Sequence, residues 1–220
     1  PASPTLVWWP GRSSQEELVA LGGIPTEYSK YGIKFDGIPN ALEPVRRRRA
    51  GVQDQGSQLV AQIFSNAAAS SQRWLDLCAG PGGKAALLSA IAQENEMEFT
   101  ANEVSQPRAE LVRQVVGGGR VWVGDGREIA SHGELFDAIL ADVPCTGLGA
   151  LRRRPEVRWR RTVTDLRALT ALQRELSDSA VSVLADGGIF AYTTCSPHFA
   201  ETTVAVADIL KAHPELKQID

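Results

Sequence analysis

Past residue 54 the spacing of apolar positions changes period several times, and each change marks a new element. Leu59, Val60, Ile63 and Phe64 recur at helical spacing and predict an opening helix. Arg73 to Cys78 reads as a strand, Gly83 to Gln93 as a helix, and Met97 to Asn102 as a second strand. Pro107 opens a helix that fades before Gly117, while Arg120 to Val123 and Phe136 to Ala141 predict a third and a fourth strand. A long helical stretch from Val163 to Leu184 leads to a fifth strand over Gly188 to Thr194, and Glu201 to Ala212 predicts a last helix. This alternation implies an α/β, Rossmann-like fold: a mostly parallel sheet with helices on both faces. Such sheets bind ligands at the carboxyl ends of their strands, where strand order reverses.

Residues 1–50 lack a clear period, are rich in Gly and Pro, and hold strand-like pieces at Thr5 to Trp9 and Tyr31 to Phe35. They read as the C-terminal part of a small α+β subdomain preceding a main domain over 51–220. Folds of this class normally add two strands after the last helix, so the main domain is expected to lack its final strands. At 220 residues and 43% apolar composition, the chain has room for one full-sized core. No apolar run is long enough to span a membrane, and Pro1 to Pro4 lacks the pattern of a secretory signal. Three cysteines cannot all pair within one chain, so reduced thiols, a cytoplasmic location and a monomer are expected.

The net charge of −3 argues against a general polyanion binder, but the distribution changes that picture. Arg46 to Arg49 form one run; Arg152, Arg153, Arg154, Arg158, Arg160 and Arg161 form another around Trp159. Together these hold 10 of the 23 basic residues. Dense arginine suits bidentate contact with phosphates, although a solvated surface is the usual fate of a charge run.

Between the first strand and its helix lies Cys78-Ala79-Gly80-Pro81-Gly82-Gly83-Lys84. Its glycines allow a tight turn and close approach of a ligand to the backbone. It is not a phosphate loop, because Cys78 replaces the first Gly and Ala85 the Ser/Thr, and it matches the dinucleotide fingerprint only in its tolerant form. Glu103 ends the second strand, where a carboxylate can accept from ribose hydroxyls, and Asp125 follows the third, where one can accept from an adenine amino group. With Asp76 and Asp142, acids stand at four successive strand ends. That set suits a cofactor with an amino group, a ribose and an adenine but no phosphate, as in S-adenosylmethionine. A nicotinamide-dependent oxidoreductase is the rival reading.

Cys145 lies in Asp142-Val143-Pro144-Cys145-Thr146-Gly147 and Cys195 in Thr193-Thr194-Cys195-Ser196-Pro197, so all three cysteines fall at carboxyl ends of strands. No Cys-x-x-Cys or Cys/His pair has ligand spacing, and no metal is expected. A packing role suits Cys78. Polar, proline-bounded loops suit reactive thiols at the other two.

In this order, residues Gln53 to the end resemble the catalytic domain of the Sun/Fmu-type RNA 5-methylcytosine methyltransferases, in particular those acting on bacterial small-subunit ribosomal RNA. Asp76 to Lys84 resembles the family's cofactor loop, Asp142-Val143-Pro144-Cys145 its Asp-x-Pro-Cys motif, and Thr194-Cys195-Ser196 its Thr-Cys-Ser motif. Arg153-Arg154-Pro155-Glu156 with Trp159, and Gln53-Asp54 with Ser57, resemble two further segments. The chain departs at Ala85, at Gln55 and at Thr202, none of them a cysteine.

The resemblance implies a class I methyltransferase fold, S-adenosylmethionine held by residues 78–84 with Glu103, Arg108, Asp125 and Asp142, and an RNA substrate. It implies that Cys195 attacks carbon 6 of cytosine, that Cys145 assists release of product, and that Lys84 orients Asp142 or the base. Sequence alone leaves the two thiols interchangeable, since DNA cytosine methyltransferases use a Pro-Cys nucleophile. The target base must leave its stack, which favours a loop or locally opened RNA. Arg152 to Arg161 border the same sheet edge and are expected beside the RNA, where Trp159 either stacks on a base or packs under the loop. Methylation of transfer RNA, or a non-catalytic ribosome assembly factor on the same fold, are the alternatives.

Overall fold

A computed structural model describes residues 4–151, 155–160 and 162–219. It opens with a small antiparallel sheet built from β1 (Thr5–Trp8), β2 (Ile24–Pro25), β3 (Gly32–Lys34) and β4 (Ala50–Val52), in the order β2-β3-β1-β4. Between β1 and β2 runs α1 (Gln15–Ala20), and between β3 and β4 runs α2 (Glu43–Arg46). Residues 1–50 are thus more regular than their apolar spacing suggests. Helix α1 carried a local signal: Ser14 caps it by accepting from the Glu17 amide, the Ser-x-x-Glu start of a capping box. Its single buried residue, Leu18, leaves too little apolar period to read.

The main sheet holds five parallel strands, β5 (Arg73–Asp76), β6 (Glu98–Glu103), β7 (Arg120–Val123), β8 (Phe136–Asp142) and β9 (Leu184–Thr193), in the order β7-β6-β5-β8-β9. Strand order reverses beside β5, as the alternation predicts. The helices are α3 (Gln55–Ala67), α4 (Gly83–Glu94), α5 (Gln106–Arg113), α6 (Val157–Arg160), α7 (Val163–Ser182) and α8 (Thr203–Ala212). The first strand stops at Asp76 and the long helix at Ser182, each two residues early, and two starts also differ from expectation. The fifth strand begins at Leu184 rather than Gly188, because Leu184 pairs with Phe136 before a register break at Phe136/Ala138. The last helix begins at Thr203, after a separate 3-10 turn over Phe199–Glu201.

Side chains alternate across the sheet with period two, and so divide the core. Trp74, Ala138 and Leu140 face one layer with α3 and α4; Leu75, Ile139 and Ala141 face the other with Leu176 and Ala180 of α7. Every residue from Ala85 to Ala92 of α4 is buried. A helix apolar all round needs cover on its outer side, and Val7, Trp9 and Tyr31 of the small sheet belong to that same cluster. The amino-terminal segment therefore shares one hydrophobic cluster with α4 and the main sheet. Arg49, in one of the two arginine runs, is held by Glu17 and Glu43. It ties α1 to α2, whereas Arg46 to Arg49 were open to a nucleic-acid role.

Candidate active site

The loop after β5 is shaped by a carboxylate from the neighbouring strand. Glu103, 2% exposed, accepts from the Gly80 amide (2.9 Å), the Ser105 amide (2.8 Å) and the Arg108 guanidinium (2.8 Å). A Cβ on Gly80 would lie 2.1 Å from that carboxylate, so any side chain there must displace Glu103. Glu103 and Arg108 thus hold the loop as well as lining the site. Ala79 is bonded through its amide to the Asn102 carbonyl, Gly82 caps α4, and Gly83 and Lys84 form its first turn.

Asp76, at the end of β5, is 1% exposed, and neither carboxylate oxygen has a hydrogen-bond partner among the described residues. Burial, with the Asp142 charge added, pushes its pKa up to about 7. The sequence reading placed Asp76 among the strand-end acids without giving it a separate task. Its isolation depends on what packs around it and has no local signal. A buried carboxylate beside a glycine-shaped loop fits a cationic ligand. Asp125, expected to face an adenine, caps the 3-10 turn Gly126–His132 and pairs with Arg127 at 2.6 Å. Arg127 also reaches Glu175 at 2.8 Å. Asp125 is first a cap, so only its spare lone pairs remain to accept from a ligand.

Across the switch point, the Lys84 ammonium meets Asp142 at 2.7 Å, and the Thr193 hydroxyl donates to the other Asp142 oxygen at 3.2 Å. Immediately beyond, the Cys145 and Cys195 sulfurs stand 3.2 Å apart. Adjacent strands β8 and β9 bring them together from 50 positions apart in sequence. Gly149 helps hold them: its amide donates to the Cys195 carbonyl at 2.9 Å, and a Cβ there would fall 2.6 Å from that oxygen. Two sulfurs so close favour one shared proton. The Cys195 thiol, helped by the Thr194 hydroxyl and the Gly147 amide, pulls Cys145 down to about 6 against the effect of burial. Cys195 is pushed up, first by that same hydrogen bond and then by burial. Cys78 does not join the pair. It packs against the Leu75–Leu77 core, and burial pushes its thiol up. The three cysteines are thus two plus one.

Of the expected RNA contacts, Arg152, Arg153, Arg154 and Arg161 lie outside the described residues. Arg158 and Arg160 fall on α6, which follows the Cys145 loop. Trp159 on the same helix is 84% exposed and is not buried beneath the loop, one of the two places open to it. Among the described residues no group of three or more His, Cys, Asp or Glu side chains could hold a metal ion. No helix among them is long and apolar enough to cross a membrane.

Residues 65–220 match the family model described as 16S rRNA methyltransferase RsmB/F. This chain belongs to that family. Over 214 residues it is 49% identical to Rv1407 of Mycobacterium tuberculosis (strain ATCC 25618 / H37Rv), whose name goes no further than methyltransferase. That match covers 93% of this chain and 46% of the relative. Against ribosomal RNA small subunit methyltransferase B of Pseudomonas putida it is 31% identical, over 91% of this chain and 47% of the relative. The chain therefore spans about half the length of these relatives. The crystal structure of PH0851 superposes with a TM-score of 0.89 at 25% identity, covering 99% of this chain and 52% of that one. NSun6 from Pyrococcus horikoshii with SFG, at 18% identity, covers 96% of this chain and 80% of its own, and shares the fold with a TM-score of 0.81.

Proposed function

We propose that this chain carries the catalytic site of an enzyme that methylates carbon 5 of a cytosine in RNA, with small-subunit ribosomal RNA as substrate. Membership of the RsmB/F family supports the substrate class. The observation that carries the chemistry is the thiol pair at 3.2 Å beside the Lys84–Asp142 ion pair. S-adenosylmethionine, when bound, supplies a methyl group activated on a cationic sulfur. Its holders are residues 78–84 with Glu103, Arg108 and Asp125, while Asp76 and Asp142 offer negative charge to its cationic end.

Carbon 5 of cytosine is a weak nucleophile, so the protein must first enrich it. In our reading the Cys195 proton passes to the Cys145 sulfur, and the Cys195 thiolate bonds to carbon 6. The ring electrons then gather at carbon 5, which takes the methyl group. The Cys145 sulfur, having passed its first proton on to solvent, takes the carbon 5 proton; the double bond returns, the sulfur–carbon bond breaks, and the Cys195 thiolate is recovered. Asp142, oriented by Lys84, hydrogen-bonds the cytosine ring and fixes carbon 6 over the sulfur. A second reading exchanges the thiols, and one feature favours it: the hydrogen bond from Cys195 and those from Thr194 and Gly147 hold the Cys145 thiol below its ordinary value. Incubation with labelled S-adenosylmethionine and unmodified ribosomal RNA, followed by digestion to nucleosides, should yield 5-methylcytidine. Label on any other atom, or on none, would sink the proposal.

Asp76 makes the cofactor's affinity sensitive to pH. Its folded pKa of about 7 lies above the unfolded value, so its contribution to stability is complete below about pH 4 and lost as pH rises through 7. A bound cation reverses this penalty by favouring the carboxylate. Affinity for S-adenosylmethionine should therefore rise several-fold from pH 6 to pH 8, with proton release on binding. Calorimetry in buffers of different ionisation heat measures both. Asp76→Asn should remove the pH dependence; an unchanged profile in that variant would exclude this role.

A further inference from the structure

Glu201 is completely buried, on the 3-10 turn after the Cys195 loop, and the chemistry above gives it no task. A buried carboxylate is costly unless donors surround it. Here one oxygen accepts from the Thr146 amide at 2.8 Å and the Gln173 side-chain amide at 3.0 Å, and the other accepts from the Thr146 hydroxyl. The same Gln173 amide holds the Pro144 carbonyl at 2.8 Å. Burial pushes Glu201 up, but the side chains of Ser196, Thr146 and Gln173 outweigh it and hold the carboxyl below its usual value.

The partners explain where the carboxylate acts. Thr146 directly follows Cys145, and Ser196 directly follows Cys195; their hydroxyl oxygens are 3.0 Å apart. A threonine hydroxyl has one proton, and Thr146 gives it to Glu201. The Ser196 hydroxyl is then left to donate to the Thr146 oxygen or to the carboxylate itself, and it accepts in turn from the His198 amide at 3.1 Å. The direction of the whole chain is set at its buried, charged end.

We propose that Glu201 is a positioning residue for the two thiols: its carboxylate orders the Thr146–Ser196 hydroxyl pair and so sets the separation and proton sharing of Cys145 and Cys195. The inference rests on the two-thiol chemistry proposed above. Among the described residues, the charged or titratable groups facing the thiols include Lys84 from α4, Asp142 from β8 and Tyr192 from β9. Tyr192 lies 2.9 Å from the Glu201 carbonyl and 3.1 Å from the Gln173 side-chain oxygen, so it reports on the same network.

The test is Glu201→Gln in the full chain. The amide brings two N–H donors into a pocket where all three groups facing the carboxylate already donate, so the network cannot close. Alkylation of each cysteine by iodoacetamide, mapped by peptide mass across pH 5–10, reads thiolate formation without RNA or cofactor. In the variant the alkylation limb of Cys145 should move up by about one pH unit, a roughly tenfold slower reaction at pH 6.5. Affinity for S-adenosylmethionine should be unchanged, and methyl transfer should lose kcat with KM for RNA retained. A folded variant whose thiols alkylate as in the parent at every pH overturns the proposal. If Glu201→Gln does not fold, Thr146→Val, which removes the hydroxyl link alone, is read the same way and decides. A shifted profile together with a parent protein that makes no 5-methylcytidine leaves Glu201 in its role and removes the cytosine chemistry.

Discussion

Cys145→Ala should trap the protein on its RNA as a covalent complex that survives denaturation, whereas Cys195→Ala should form no complex at all. Both variants should lose turnover, Cys195→Ala by on the order of 10⁴-fold, the scale on which removal of a nucleophile acts. The geometry explains why the two losses differ in kind. With Cys195 kept, its proton can leave to solvent and the bond to carbon 6 can still form, but the neighbouring sulfur at 3.2 Å that takes the carbon 5 proton is gone. The adduct then accumulates. With Cys195 removed there is nothing to bond. Gel electrophoresis of each variant with labelled RNA and S-adenosylmethionine separates the outcomes. The reverse pattern would assign attack to Cys145, in keeping with the hydrogen bonds that lower its thiol pKa. The methyl chemistry would stand and the division of labour would be inverted.

Gly80→Ala should weaken S-adenosylmethionine binding by about 100-fold, on the order of 2.7 kcal/mol, while leaving the thiols in place. A Cβ at 2.1 Å from Glu103 cannot be accommodated without moving that side chain. Glu103 has little room to move, because Ser105 and Arg108 hold it and it is buried. Displacing it also breaks its bond to the Gly80 amide, so the loop loses its shape at the point of substitution. Overpacking of this kind costs about 1–3 kcal/mol, so the melting temperature should fall by several degrees without loss of the fold. Equilibrium binding and iodoacetamide reactivity of Cys145, measured on one sample, check both halves. Affinity within threefold of the parent would show that the carboxylate yields and that the glycine is not required.

The elements of the main sheet were legible because burial on both faces imposes period. Trp74 and Leu75 point to opposite layers, and α3 buries Ala61 and Phe64 along one face. The amino-terminal sheet was less legible for the same reason. Its strands are two to four residues long, too short to show alternation, and its cover over α4 comes from Val7, Trp9 and Tyr31 at scattered positions. Within the candidate site, the glycine loop, Lys84, Asp142 and the cysteines stood out because each sits at a strand end with a distinctive local sequence. The grip of Arg127 on Asp125 and of Ser105 and Arg108 on Glu103 added second duties to acids expected to face a ligand.

By itself the sequence determined the strand–helix order, the strand ends at which the acids and cysteines stand, and the family that those motifs identify. Those properties are local: a turn or a strand end is written in a few adjacent residues. The structure alone decided that Cys145 and Cys195 touch while Cys78 packs into the core, that the Asp76 carboxylate is buried with no side-chain partner among the described residues, and that Glu201 accepts from Thr146 and Gln173. Each of these depends on residues tens of positions apart, 28 and 55 for the partners of Glu201. Distance and burial, which set proton sharing and charge, exist only once the sheet has brought those residues together.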